Sequence, residues 1–220
     1  MKRLIIAIDG PSGAGKGTIS RSVSQALGYT HIDTGAMYRA VGWKAVHDRI
    51  PLDDERAVAD LARRSTIVVE GELVAIDGHD VTRAIRTPEM DKTAAAVARL
   101  PQVRDVLVAL QRTLGRGGGV VMEGRDIGTV VFPDADVKVY LDASADERAR
   151  RRANDIAHTG SQAGQAAVAA AIEARDRSDT TRAVSPLALA PDAIHIDTTR
   201  MPIASVVDEV MKLVRARLHP

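Results

Sequence analysis

The residues that could do chemistry are concentrated near the start of the chain, where four glycines, a lysine and a threonine lie within nine positions. The stretch reads Gly10-Pro11-Ser12-Gly13-Ala14-Gly15-Lys16-Gly17-Thr18. Glycines allow a tight turn whose backbone N–H groups converge on one anion, and a helix that follows adds its positive N-terminal end. We therefore expect a nucleotide phosphate site, with Lys16 on the terminal phosphates and Thr18 as the nearest hydroxyl for Mg²⁺. A purely structural glycine turn is the alternative.

The position of the threonine narrows the class of nucleotide-binding protein. In the general phosphate-loop pattern, Ser or Thr follows the lysine directly, but here Gly17 intervenes before Thr18. The Lys-Gly-Thr ending resembles that of small-molecule phosphotransferases, above all the nucleoside monophosphate kinases. It favours a kinase over a general nucleotide hydrolase.

Two further polar motifs directly follow predicted strands, where an open parallel sheet presents ligand groups. In the first, Asp33 would orient Mg²⁺ or its waters and Arg39 would hold an acceptor phosphate; a helix-capping Asp with a surface Arg is the alternative. In the second, Glu123 to Thr129, an acid would steady Mg²⁺ through water, and Arg125 and Asp126 lie at a turn between two glycines. Because that turn is an unusual place for an ion pair without function, we assign both residues to the site.

Arginines recur at helical spacing in the second half of the chain. A first group lies on one predicted helix, and a second group follows with members three to four positions apart. The groups are Arg148, Arg150, Arg151 and Arg152, then Arg175, Arg177, Asp179 and Arg182. Without acidic partners the first group would repel itself, whereas over a triphosphate it would neutralise charge. A solvated basic face is the alternative for both groups.

These residues need a scaffold, and the apolar runs predict an α/β fold. Five strand-like runs separated by helical segments indicate a parallel five-stranded sheet with helices on both faces. The predicted strands are Leu4–Ile8, Thr30–Ile32, Val120–Met122, Val137–Leu141 and Ala193–Ile196. The last helix, about Pro202 to Leu218, carries an apolar stripe that closes the core. The stripe consists of Ile203, Val206, Val207, Val210, Met211 and Val214.

Two segments interrupt this alternation. Short β-rich runs with two glycine turns between Ser65 and Val81 predict a small antiparallel β insert, bracketed by helices Asp53–Arg64 and Pro88–Ala98. The interval from Arg148 to Asp179 predicts a helical lid of two helices joined by a mobile turn at Thr159-Gly160-Ser161. We therefore divide the chain into a core with the ATP-binding loop (1–35, 101–147 and 180–220), an acceptor-binding insert (36–100) and a lid (148–179).

Composition excludes several classes of protein. The chain has 220 residues, 45% of them hydrophobic, so it can bury one aliphatic core. A net charge of +1 and only 2% aromatic residues argue against a protein that binds nucleic acid or a membrane surface. The chain has no cysteine, no apolar run of roughly 20 residues and no signal-peptide pattern, which excludes disulfides, thiolate metal sites and a membrane span. We expect a cytoplasmic monomer whose partners are small molecules.

Taken together, these motifs resemble those of the bacterial cytidylate kinase family. The matching stretches are Ile8 to Thr18, Asp33-Thr34-Gly35-Ala36-Met37-Tyr38-Arg39, Ile85-Arg86-Thr87, Gly124 to Ala135, and Arg182-Ala183-Val184-Ser185-Pro186-Leu187. Their order and spacing agree over nearly the whole chain, and the β insert is also typical of that family. The resemblance implies a P-loop kinase fold and a Mg²⁺-dependent transfer of the γ-phosphoryl group of ATP to CMP or dCMP.

The resemblance also implies roles for individual residues. On the donor side, Lys16 and the loop from Gly10 to Thr18 would hold the ATP phosphates, and Arg151 and Arg152 would close on the donor from the lid. On the acceptor side, the implied contacts are Arg39, Arg125 and Arg182 with the CMP phosphate, Arg175 and Asp179 with the sugar hydroxyls, Arg104 and Asp126 with cytosine, and Thr34 near the base. The catalytic candidates are Lys16, Arg125, Asp126 and Arg182, and the metal candidates are Thr18 and Asp33, the latter directly or through water.

The implied base contacts agree with the hydrogen-bonding groups of cytosine. An ionised Asp126 only accepts and Arg104 only donates, which complements the amino group, N3 and O2 of cytosine but not O4 of uracil. We therefore expect a strong preference for CMP over UMP. Ala95 departs from the family, whose members often carry Ser there. Either Thr93 or a water takes over that contact, or Arg104 and Asp126 hold the base alone.

Two other functions remain open at this stage. A different loop-type kinase, such as a uridylate/cytidylate or shikimate-type enzyme, would share the loop but leave Asp126, Arg104 and the β insert unexplained. A nucleotide-dependent switch protein would hydrolyse ATP without an acceptor. No side chain is assigned as an essential general base, because phosphoryl transfer gains mainly from positioning and charge neutralisation. Whether Asp33 or Asp126 accepts the proton stays open.

Overall fold

The predicted phosphate loop lies where the carboxyl ends of the central sheet's strands meet. The computed structural model describes residues 3–155 and 165–218. Five parallel strands run in the order β2-β6-β1-β7-β8. They are β1 (Ile5–Asp9), β2 (Thr30–Asp33), β6 (Val120–Gly124), β7 (Val137–Asp142) and β8 (Ile194–Asp197). Because β2, β6 and β1 are neighbours, the segments that follow their carboxyl ends meet at the same edge of the sheet.

Helices cover both faces of this sheet, as the sequence predicted. Ile6 and Ile8 of β1 point to one face and pack with the helices that follow the loop and end the fold. Ala7 points to the opposite face and packs with Val108 of a third helix. The helices are α1 (Lys16–Leu27), α2 (Thr34–His47), α3 (Glu55–Arg64), α4 (Pro88–Val97), α5 (Pro101–Gly115), α6 (Ala145–Ala153), α7 (Gln165–Thr181) and α8 (Ile203–Leu218), with a short π-helical turn at Ile127–Val131.

The predicted β insert is a three-stranded antiparallel sheet. Its strands are β3 (Ile67–Glu70), β4 (Leu73–Ile76) and β5 (His79–Asp80). The helix before it starts later than predicted because Asp54 caps it, accepting a hydrogen bond from the backbone N–H of Ala57 at 3.0 Å. The helix after it begins at Pro88, where Thr87 is the cap and accepts from the N–H of Met90 at 3.2 Å.

The last helix confirms the predicted stripe except at its first position. Val206, Val210 and Val214 are buried in the core. Ile203 is 58% exposed, because it is the first residue of the helix and lines the cleft at the phosphate loop rather than the core. The predicted lid turn at 159–161 lies outside the described residues. Within the described part of the chain, no helix combines the length and apolarity that a membrane crossing requires.

Candidate active site

The predicted phosphate loop connects β1 to α1 and lines a cleft of about 960 Å³. Two of its glycines are required by close packing. A Cβ on Gly10 would lie 2.0 Å from the carbonyl oxygen of Leu141, and a Cβ on Gly13 would lie 2.9 Å from that of Arg148. Both residues also have positive φ angles, +147° and +79°. Other cleft residues are Asp33, Arg39, Glu123, Arg125, Arg151, Arg152 and Arg175.

Lys16 lies at the start of α1 with its amine inside the loop. The Nζ atom donates a hydrogen bond to the carbonyl oxygen of Pro11 at 2.7 Å, and the side chain is buried. Burial, together with the nearby guanidinium of Arg125, lowers the pKa of Lys16 from 10.5 to about 7. The amine is therefore poised to gain a proton when an anion enters the loop.

Asp33 combines the two interpretations that the sequence left open. Its Oδ1 caps α2 by accepting from the N–H of Ala36 at 3.0 Å, and its Oδ2 accepts from Arg39 at 2.8 Å. Burial alone would raise the pKa of Asp33, but the Arg39 charge and the Ala36 N–H outweigh it, so the pKa is lowered. Asp33 is thus a helix cap that also orients Arg39 in the cleft.

Thr18 and Glu123 border the loop on the side where a metal–phosphate complex would lie. Thr18 is exposed in the cleft, one turn into α1. An oxygen of Glu123 lies 3.4 Å from the position of a Cβ on Gly17, and the same carboxylate pairs with His31 at 2.8 Å. Among the described residues, no three acidic or histidine side chains form a group able to enclose a metal ion.

A second, smaller pocket of about 40 Å³ is lined by the acceptor candidates other than Arg39 and Arg104. Asp126 pairs with Arg104 and, at 3.4 Å, with Arg182. Asp179 pairs with Arg125 at 2.8 Å and lies 4.0 Å from Arg182. Thr34, Tyr38, Ala94, Ala95, Ala98 and Arg175 complete the walls. The sequence-predicted residues therefore converge on one alternating network of acids and arginines.

The neighbours Arg125 and Asp126 do not pair with each other. Each joins a different partner, Asp179 and Arg104 respectively. Arg104 is only 2% exposed and lines neither cavity, so it meets the pocket through the Asp126 carboxylate. Burial raises the pKa of Asp126 against the opposing charges of Arg104 and Arg182.

Asp9, at the end of β1, is a site residue that the sequence reasoning missed. Its two carboxylate oxygens accept from the N–H groups of Ile127 at 2.9 Å and Gly128 at 2.7 Å. It therefore fixes the turn that carries Arg125 and Asp126. Burial raises the pKa of Asp9 to about 6 despite these two hydrogen bonds. The sequence did contain a signal for this role of Asp9, namely an acidic residue at the end of an apolar strand.

The predicted lid helices contact the loop through Arg148 and Arg151. Arg148 donates to the carbonyl oxygen of Ser12 at 3.0 Å and pairs with Asp176, whose other oxygen accepts from the Ser12 N–H at 3.0 Å. Arg151 donates to the carbonyl oxygen of Ala14 at 3.4 Å. The same two helices thus grip the peptide groups of the phosphate loop.

Three members of the first arginine group have acidic partners, so this helix face is not an uncompensated positive surface. Arg150 and Arg151 both pair with Glu147, and Arg152, which also lines the cleft, pairs with Asp91 of α4. Arg175 of α7 pairs with the same Asp91 at 2.8 Å. Acidic residues in the first turn of α6 stabilise the positive N-terminal end of the helix. The arginines three and four positions later extend their long side chains back to these acids.

Comparisons with known proteins agree with this geometry. The family model described as "Cytidylate kinase" matches residues 6–216. The chain is 48% identical over 215 residues to "Cytidylate kinase" of Desulfitobacterium hafniense (strain Y51), covering 96% of this chain and 93% of the relative. It is 50% identical over 216 residues to "Cytidylate kinase" of Pelotomaculum thermopropionicum, covering 96% of each.

Solved structures at low identity share the fold. A shikimate kinase from Acinetobacter baumannii, in complex with shikimate, superposes with a TM-score of 0.51 at 14% identity, covering 99% of this chain and 96% of that one. A gluconokinase from Sinorhizobium meliloti 1021 superposes with a TM-score of 0.52 at 15% identity, covering 98% and 94%. These two confirm the predicted fold, a parallel five-stranded sheet with helices on both faces.

Proposed function

The chain belongs to the cytidylate kinase family, and we propose that it transfers the γ-phosphoryl group of ATP to CMP or dCMP, giving ADP and CDP or dCDP. The observation that supports this function is that two cavities lie side by side. The cleft at the phosphate loop shares Gly35, Gly124, Arg125 and Arg175 with the walls of a pocket that also holds Asp126, Asp179 and Arg182. A donor and an acceptor can therefore meet end to end, as direct phosphoryl transfer requires.

The donor side would hold ATP through the loop from Gly10 to Thr18. Its backbone N–H groups and the Lys16 amine would surround the terminal phosphates. Arg151, which contacts the loop at Ala14, is placed to add positive charge from the lid. Arg152 would have to leave Asp91 to do the same.

The acceptor side would hold the CMP phosphate with three arginines from three elements. Arg39 is oriented by Asp33, Arg125 by Asp179, and Arg182 lies beside the Asp126 carboxylate. Arg175 and Asp179 would meet the sugar hydroxyls. Thr34 lines the pocket, although its hydroxyl already donates to the Glu123 carbonyl at 2.7 Å.

Cytosine recognition would rest on the pair of Asp126 and Arg104. Asp126 faces the pocket and would accept from the cytosine amino group, while Arg104 holds its carboxylate from behind. Ala95 lines the pocket without a hydroxyl. Thr93 lines neither cavity, and its hydroxyl donates to the carbonyl of Glu89 at 2.9 Å, which argues against Thr93 as the replacement. A water or the Asp126–Arg104 pair alone would serve the remaining edge of the base.

The residues at the loop fit a Mg²⁺ ion that arrives with the nucleotide. Mg²⁺ in such sites keeps several waters and is held by one or two protein oxygens and the phosphates, which agrees with the exposed Thr18 hydroxyl. Both oxygens of Asp33 are already engaged, so Asp33 would act on a metal-bound water. When bound, the ion neutralises charge on the transferred phosphoryl group.

The chain's own contribution to the reaction would be positioning and charge. Lys16, Arg125 and Arg182 would surround the phosphoryl group in flight, and Asp126 would fix the acceptor. The lid (148–179), the acceptor insert (36–100) and the core formed by the remaining residues would close around both substrates and exclude water. A cytoplasmic monomer that binds neither nucleic acid nor membrane remains our prediction.

The test is a panel of acceptors. ADP release from Mg·ATP would be measured with CMP, dCMP, UMP, AMP or shikimate, each alone, beside a control without acceptor. We expect turnover with CMP and dCMP only, and its loss by orders of magnitude in Lys16→Ala but not in Lys212→Ala, an exposed lysine on α8. Turnover confined to shikimate, or ATP loss without any acceptor, would overturn the proposal in favour of another kinase or a switch protein.

A further inference from the structure

Three arginines from three different elements converge on one carboxylate, Asp91 of α4. Its Oδ1 lies 2.8 Å from Nη1 of Arg175 and 3.9 Å from Nη1 of Arg39, and its Oδ2 pairs with Arg152. All four side chains are at least three-quarters buried. We call this set the Asp91 junction. It joins the acceptor helices α2 and α4 to both lid helices.

The arginines of the junction are the ones that the substrates need. Arg152 belongs to the donor side, and Arg39 and Arg175 belong to the acceptor side. All three line the cleft at the phosphate loop. An arginine fork binds carboxylate and phosphate with the same geometry, so Asp91 and a substrate phosphate compete for the same donors.

Charge balance shows why an internal anion is useful here. Three guanidinium groups held together and partly out of water repel one another unless an anion lies between them. Arg39 also has Asp33 at 2.8 Å and Arg152 also has Asp155 at 3.8 Å, while Arg175 and Arg152 approach Asp91 from opposite oxygens. Without Asp91 the lid helices and the acceptor helices would present like charges to each other.

We propose that Asp91 is a stand-in for a substrate phosphate, which holds the three arginines in place in the free enzyme and releases Arg39 and Arg152 to the phosphate groups of bound nucleotides. The inference rests on the proposed function, because only a kinase substrate brings phosphates to both sides of the junction. Asp91 is a positioning residue rather than a catalytic one. Its carboxylate stabilises the arrangement of the arginines and at the same time weakens anion binding.

Replacing Asp91 should therefore have the opposite effect to replacing one partner of a purely structural ion pair. Removing a structural partner weakens ligand binding, whereas removing a competing anion strengthens it. In Asp91→Asn we expect inorganic pyrophosphate to bind about tenfold more tightly than in the wild type, since a like charge within a Debye length of about 10 Å no longer opposes it. The increase in melting temperature that pyrophosphate causes should also be larger in the variant.

Isothermal titration with inorganic pyrophosphate, in the absence of nucleotide and Mg²⁺, tests this directly. Asp91→Glu keeps the charge and should bind like the wild type. Glu173→Gln removes a carboxylate from an exposed pair with Arg177 on α7 and is the matched control, with no expected change. Asp91→Ala should shift affinity in the same direction as Asp91→Asn and covers the case in which the amide variant fails to fold.

Pyrophosphate binding that is unchanged or weaker in both Asp91→Asn and Asp91→Ala overturns the proposal. Tighter binding in Glu173→Gln as well would also overturn it, since the effect would then reflect net charge. Neither readout requires turnover. A chain that fails to phosphorylate CMP in the acceptor panel but binds pyrophosphate more tightly in Asp91→Asn would refute the kinase assignment while keeping the competition at the junction.

Discussion

The affinity of the enzyme for ATP should fall as the pH rises through neutrality, because Lys16 loses its charge there. Burial lowers the pKa of Lys16 to about 7, and its amine donates to the Pro11 carbonyl. Nucleotide phosphates bind the protonated amine and stabilise it. Since the ligand prefers the protonated form, binding takes up a proton above pH 7, and affinity decreases with increasing pH.

The size of the effect follows from the fraction of charged Lys16. With a pKa of about 7, roughly nine-tenths of the amines carry a proton at pH 6 and roughly one-tenth at pH 8. Because only the charged fraction is competent, the apparent Kd for ATP should rise about tenfold over this range. Calorimetric titrations in buffers of different ionisation enthalpy should find nearly one proton taken up at pH 8.

Lys16→Arg is the control for this prediction. A guanidinium stays protonated throughout, so the variant should take up no proton at position 16 whatever its absolute affinity. Titration of the nucleotide itself contributes equally to both proteins and cancels in the difference. Equal proton uptake by wild type and Lys16→Arg at pH 8, or a wild-type Kd that is constant between pH 6 and 8, would refute the argument that Lys16 is the titrating group.

Two further substitutions test the acceptor pocket and the loop. Asp126→Asn replaces a hydrogen-bond acceptor with a group that can also donate. We therefore expect kcat/KM for CMP to fall by about a hundredfold or more, while UMP gains relative to CMP. An unchanged ratio of the two rates would contradict base reading by Asp126. Gly13→Ala should cost at least about tenfold in kcat/KM for ATP, because its Cβ would meet the Arg148 carbonyl at 2.9 Å. Gly71→Ala is its control, with a φ of +61° but no atom within 4 Å, and equal losses in both would point to strain alone.

The fold was largely predictable because its signals are local. Short β-rich runs and glycine turns marked the β insert, and a long amphipathic pattern marked the last helix. Errors were confined to the ends of elements, where single contacts decide the boundary. Asp54 caps α3 and delays its start, and Ile203 lies at an open helix end rather than in the core.

The membership of the site was also predictable, but the pairing of its charges was not. Arg125 and Asp126 are adjacent in sequence, yet their partners lie 54 and 22 positions away. Which acid meets which arginine depends on how helices cross, and no local pattern carries that information. Asp91 was missed for this reason. In the sequence it is only an acid in the first turn of α4, a position that capping alone explains.

The ion pairs of the cleft determine how the protein can select phosphates. The chain carries 30 basic and 29 acidic residues, and most cleft arginines already have a carboxylate partner. A phosphate therefore gains only the difference between two ion pairs, since it must displace an acid from each arginine it takes. Free anions that reach one arginine gain little by this exchange. A nucleotide pair that reaches Lys16, Arg39, Arg125 and Arg182 together gains at every position, so selectivity arises from geometry rather than from the net charge of the protein.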